Sequence, residues 1–156
     1  MRTGGAVTFA SAAALTLGRY TVPVYEIYKV GNEPSWLEGL DVLGEIGLNV
    51  AVIPHYDNAE GGHHDTRFCY LGEHRLAMLE ELLPHDAHVI GVDEHTGVIL
   101  DLDANTATVI GNSTITVRIK GHSTIHKSGD VISIDALRDP ASGATNIPVQ
   151  IKQTEA

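Results

Sequence analysis

Two short stretches hold the side chains best suited to covalent chemistry. In "FASAAAL" a serine, Ser11, stands among small residues, and in "VIPHYDN" a histidine, His55, follows directly on an apolar run. A free serine hydroxyl is a weak nucleophile. It needs a base within hydrogen-bond reach and donors aimed at the oxyanion that forms during attack. Imidazole is the natural base, so the pair points to acyl transfer if folding brings the two together. Singly, a serine at a helix start is usually a cap, and a histidine after a strand is usually an ordinary loop residue. The combination is stronger than either part.

The elements around them must do the positioning. "AVTF" (residues 6–9) reads as a short buried strand, with β-branched and aromatic residues in succession. "SAAALTLG" reads as a helix start, with Ser11 at the N-cap position and Gly18 as the stop. Strand, sharp turn, small residues and helix make the layout of a nucleophile elbow. The same stretch, preceded by Arg2, has some features of a secretory signal, but Thr8, Ser11 and Thr16 interrupt it and bulky apolar residues are few. "LNVAVIP" is a continuous apolar run, hence a buried strand ended by Pro54. His55 then falls at its C-terminal end, the rim where open α/β sheets place their sites. If the two strands are parallel neighbours, Ser11 and His55 face one crevice.

Elsewhere "RYTVPVYEIYKVG" reads as extended and partly exposed. "EPSWLEGLDVLGEIG" reads as a surface helix with Trp36, Leu40 and Leu43 on one face. After the Gly-rich loop "HYDNAEGGHHD", a long helix is expected from an Asp65 cap, with Leu76, Leu79 and Leu83 as its inner stripe and Pro84 closing it. "HVIGVDE", "GVILDLD", "TATVIG" and "TITVRIKG" read as successive strands, and a further hairpin is expected around Ser128-Gly129. The fold class is therefore α/β, with a parallel core and an antiparallel, β-rich margin. One domain spans residues 1–137, followed by a polar tail over 138–156.

The 156 residues are 43% apolar and 19% charged, suited to one globular core. A formal charge of −10 with ten Lys+Arg argues against nucleic acid or an anionic membrane as partner. The single cysteine, Cys69, excludes an internal disulfide and fits a reducing, cytoplasmic setting. Its aromatic neighbours mark it as a packing residue. Nine histidines raise the question of a metal or other ligand site, for instance His55, His63 and Asp57. Adjacent His63 and His64 point apart, His74 stands alone, and His122 and His126 lie in the β region without a compact chelating motif. No metal or cofactor is expected.

In order, "FASAAAL", "VIPHYDN", "HHDTRFCYLGEHRLAMLEELLP" and "VIGVDEHTGVIL" resemble the second half of a peptidase S51 enzyme. That family includes dipeptidase E and cyanophycinase, within the class I glutamine amidotransferase-like superfamily. The resemblance runs from about Val7 to Ile119. It implies a three-layer α/β/α domain, here incomplete, and hydrolysis of a small peptide or related amide through an acyl-enzyme. Ser11 matches the nucleophile and His55 the general base. The acid stays open among Glu94 of the "DE" motif, Glu26 about fifteen positions past the serine, and Asp57 by His-x-acid spacing, with Glu94 the easiest to align.

Two departures from the family pattern stand out. Ala13 replaces the usual elbow glycine. The block that precedes the elbow in full-length members, with a Gly-rich loop giving one oxyanion N–H, has no counterpart here, which leaves the backbone of Ala12 as the one donor. Apolar strands left without neighbours imply association, either of like chains or with a separately encoded N-terminal half. A non-catalytic interaction subunit that keeps the fold is the alternative, and a metal- or ligand-binding protein built on the histidines is the third reading.

Overall fold

The computed structural model describes residues 4–142, a mixed α/β arrangement rich in sheet and poor in helix. Among the described residues nine strands form: β1 (Tyr20–Thr21), β2 (Leu37–Glu38), β3 (Val50–Ile53), β4 (His88–Val92), β5 (Thr96–Asp101), β6 (Thr106–Gly111), β7 (Thr114–Ile119), β8 (His122–Lys127) and β9 (Val131–Ser133). The same residues hold three α-helices: α1 (Ala12–Leu15), α2 (Gly72–Glu81) and α3 (Ile134–Arg138). Six strands make one sheet in the order β2-β1-β3-β4-β7-β8. The remaining three make a second sheet, β5-β6-β9. Within the larger sheet β1, β3 and β4 are parallel and every other pairing is antiparallel.

The alternation of side chains along β3 explains how the layers stack. Val50 and Val52 face one way, into a core with Ala14, Ile90, Ala107, Val109, Ile115 and Ile132, which joins the large sheet to the small one and to α1. Ala51 and Ile53 face the other way, onto Tyr56, Phe68, Leu71, Leu76 and Leu79 from α2 and the loop before it. Covered on both faces, β3 is buried at every residue, as its unbroken apolar run requires. The inner stripe of α2 is as expected: Leu76 and Leu79 are fully buried and Leu83 nearly so.

Several local expectations are overturned. Residues 6–9 form no strand; they are irregular, and Val7 is 74% exposed, because no neighbouring strand lies beside them among the described residues. The stretch from Arg19 is extended only at Tyr20–Thr21. Beyond Pro23 it turns helical and ends in a π-helical turn, Glu26–Val30, that buries Ile27. The helix expected over 33–47 is absent. Residues 37–38 pair with β1 instead, the Trp36 indole N–H bonds the Leu79 carbonyl, and only a 3-10 turn, Leu43–Ile46, remains. Gly39 lies so close to the Gly18 carbonyl that a Cβ there would sit 2.1 Å from it, which specifies this extended path.

The long helix starts at Gly72 rather than after Asp65. Between them Phe68, Cys69 and Tyr70 take left-handed conformations, with φ of 61°, 54° and 68°. Asp65 still acts at the helix start, accepting the Glu73 N–H at 2.9 Å across this turn. The hairpin around Ser128-Gly129 does not form, because β8 joins β7 and β9 joins β6, so that turn carries the chain from one sheet to the other. The pattern explains it: β8 has almost nothing to bury, whereas Ile132 of β9 belongs in the core. The tail is described only to Ser142, and residues 143–156 lie outside the described residues.

Candidate active site

Ser11 sits at the sharp turn entering α1, with φ 50° and ψ −123°, a backbone conformation that L-residues avoid. Its side chain does not cap the helix. The hydroxyl instead lies 2.9 Å from His55 Nε2. The helix start and the small residues behind it are what allow this approach. Ala14 packs into the core against Val50 and Val52, holding the single turn of α1 on β3, and a Cβ at Gly18 would stand 2.1 Å from the Val50 carbonyl oxygen. As the first residue of α1, Ala12 has a backbone N–H with no intrahelical acceptor.

His55 follows β3 by one residue beyond Pro54, also at a positive φ of 50°. Its second ring nitrogen, Nδ1, lies 3.1 Å from Glu94 Oε1. Glu94 follows β4, the parallel neighbour of β3, so the histidine and the acid emerge from the same end of adjoining strands. Serine, imidazole and carboxylate thus form one hydrogen-bonded row. About a third of the His55 and Glu94 side chains remains exposed, at 38% and 36%.

The loop that carries His55 rests on a buried polar cluster. Tyr56 packs its ring on Phe68, with centroids 4.5 Å apart, and covers Gly91, where a Cβ would come within 2.3 Å of the Tyr56 ring. Arg118 of β7 lies over Phe68 and reaches α2. Its Nε donates to Glu80 Oε2 at 3.0 Å and its Nη1 to Glu73 Oε2, also at 3.0 Å. The Arg118 and Glu80 side chains are each only 4% exposed. The Glu73 bond, above all, holds the guanidinium firmly charged, and Arg118 in return keeps the Glu73 carboxyl below its usual range. Burial pushes the Tyr56 phenol up to about 12 and the Cys69 thiol up to about 11. Cys69 is therefore a neutral packing thiol at physiological pH.

The other candidates are placed elsewhere. Glu26 is exposed at the start of the π-helical turn and makes no hydrogen bond with His55, whose Nδ1 is taken by Glu94. Asp57 does not reach the ring either; its carboxylate accepts the Glu94 backbone N–H at 2.7 Å. Among the described residues no three His, Cys, Asp or Glu side chains gather into a group able to hold a metal ion. His63 and His64 are exposed in their loop. His122 and His126 lie four residues apart on β8, roughly 13 Å along a strand, too far to chelate together. Sequence patterning missed Asn58, which is 3% exposed with Nδ2 3.5 Å from Glu94 Oε1. An asparagine in a Gly-rich loop carries no signal that it will be buried.

Comparison with known proteins adds one kind of information. No protein-family model matches the chain, and no curated protein does. Among solved structures the chain is similar to the crystal structure of a peptidase from an acI-B1 actinobacterium, with a TM-score of 0.54 and 22% identity. The match covers 79% of this chain and 43% of that one, so the chain spans less than half the length of that peptidase. At this identity the likeness is one of fold. Among the described residues no helix is long and apolar enough to cross a membrane.

Proposed function

We propose that this chain is a serine hydrolase of the peptidase S51 type, acting on a small peptide or related amide and built on the C-terminal half of a glutamine amidotransferase-like domain. The observation that carries the reading is the row from Ser11 Oγ through His55 to Glu94, at 2.9 and 3.1 Å. The strained backbone at Ser11 and the fold likeness to a peptidase support it. Attack by Ser11 Oγ on the amide carbon passes the hydroxyl proton to His55 Nε2. Glu94, on Nδ1, orients the ring and offsets the imidazolium charge. The Ala12 N–H faces the developing oxyanion. Collapse of the tetrahedral species breaks the C–N bond, His55 returns its proton to the leaving amine, and water then cleaves the acyl-enzyme by the same route.

Ala12 gives one oxyanion donor among the described residues, and losing one of two such donors costs about a hundred- to a thousandfold in rate. The exposed segment before Ser11, with Val7 outward, and the exposed Leu37 and Leu40 at the β2 edge favour association with a second polypeptide that supplies the other donor. The same exposure favours, as a second reading, a non-catalytic interaction subunit.

The test is labelling by a fluorophosphonate, read by intact mass. One adduct on Ser11 is expected, absent in Ser11→Ala and His55→Ala and slowed on the order of 10^3-fold or more in Glu94→Gln. No adduct, either alone or with the polypeptide encoded upstream, overturns the hydrolase reading in favour of the interaction subunit. A single sedimenting monomer at micromolar concentration overturns self-association.

A further inference from the structure

His55 and Glu94 leave the ends of two parallel strands, where the sheet no longer holds them in register. The β3–β4 ladder ends with Ile53 opposite Gly91. Beyond it Pro54 has no N–H to donate. One main-chain bond continues past the break, from Tyr56 N–H to the Val92 carbonyl at 3.1 Å. The next link is made by a side chain: Asp57 Oδ1 accepts the Glu94 N–H at 2.7 Å. Asp57 is two residues past the histidine, and the amide it holds belongs to the acid that holds that histidine. The loop of the base thus grips the backbone of the acid, while the acid's carboxylate grips the ring of the base. Buried Asn58 closes the arrangement, with Nδ2 3.5 Å from Glu94 Oε1 and Oδ1 accepting the Glu60 N–H at 3.2 Å.

From this reciprocal pair of bonds we infer that Asp57 is a positioning residue for the His55–Glu94 pair. It acts through the Glu94 backbone and not as an acid on the imidazole. The inference rests on the hydrolase reading for its effect on rate. Its requirement is an acceptor atom at Oδ1, not a negative charge, because the partner is a neutral amide. That separates it from the other role open to an acid at His-x-acid spacing. A carboxylate that offset an imidazolium would need its charge, and an asparagine could not replace it.

The experiment compares Asp57→Asn with Asp57→Ala in the full chain, with thermal melting of each to establish folding. The rate constant for fluorophosphonate labelling of Ser11 is expected to fall about ten- to a hundredfold in Asp57→Ala, the order that misplacement of a reacting group brings, and to stay within about threefold of the parent in Asp57→Asn. In parallel, ¹H–¹⁵N spectra read the Glu94 amide and the His55 Nδ1 proton directly. Both signals are expected to hold in Asp57→Asn and to move upfield in Asp57→Ala. Equal losses in Asn and Ala would overturn the inference in favour of a charge role, and unmoved amide and imidazole signals in a folded Asp57→Ala would overturn it outright. If the parent chain labels neither alone nor with the second polypeptide, the hydrolase reading fails, and the two spectral signals still decide the Asp57 inference.

Discussion

The two sides of the Ser11–His55 contact are supported very differently. The histidine side stands on β3 and β4, on the Tyr56–Phe68 ring pair and on the buried Arg118–Glu80–Glu73 cluster beneath it. The serine side stands on one turn of helix, anchored by Ala14, with an irregular and exposed approach from residues 4–10. Long-range contacts tie both sides to β3, but the loop of His55 and Glu94 is backed by buried groups, whereas the approach to Ser11 through residues 4–10 is exposed. The difference teaches that a partner, under the proposed reading, would be needed on the serine side only.

Removal of one partner from the buried ion pair should break the supported side. Glu80→Ala leaves Arg118 facing Glu73 alone, in a site where both Glu80 and Arg118 are out of water. A loss of about 1.5–3 kcal/mol is expected in urea unfolding, because the Arg118 Nε and the Gly121 N–H lose their buried acceptor while Glu73 still balances the guanidinium charge. Gly91→Ala tests the support of the histidine loop more locally. A methyl 2.3 Å from the Tyr56 ring forces that ring away, for a cost of about 1–3 kcal/mol and a measurable drop in the Ser11 labelling rate.

A smaller effect is expected from acid. Burial lowers the pKa of His88 and of His126, so between that lowered value and the ordinary one near 6.5 the unfolded chain binds more protons. Stability should be unaffected by these groups above about pH 6.5 and fall as pH drops below it. His88→Asn should flatten part of that slope in melts recorded from pH 7 to 5, and an unchanged slope would exclude His88 as its source. The least effect is expected on the serine side. Val7→Ser should change the stability of the isolated chain by no more than about 0.5 kcal/mol, while weakening any complex that covers residues 4–10. A larger loss in the monomer would mean that the approach is held within the chain after all.

The central strand β3, the leucine stripe of α2 and the succession of strands from His88 onward are legible because each depends on local periodicity. The proximity of Ser11 and His55 is legible for a related reason, since each stands at the edge of a recognisable element, whereas Glu94 is one of three carboxylates that the resemblance leaves open. What the pattern could not carry was set at a distance. The stretch from Pro34 to Gly47 has helical spacing, yet the edge of β1 and the Leu79 carbonyl draw it out straight. Residues 6–9 have strand composition without a strand to pair with. Asp57 has the spacing of a triad acid, but the Glu94 amide is its nearer partner, and no one-dimensional pattern reveals an amide 37 positions away.

Phe68, Cys69 and Tyr70 hold left-handed angles that an unsupported chain would abandon, at about 1–2 kcal/mol per residue. Part of their support is Arg118, stacked on Phe68 from a strand that leaves the ribosome some fifty residues later. A nascent chain emerged only to residue 100 already contains serine, histidine and glutamate, but not the guanidinium that pins the turn. The arrangement of the site should consequently wait until β7 has emerged. Chains arrested before β7 emerges should expose the Cys69 thiol to alkylation, and chains arrested beyond it should shield that thiol.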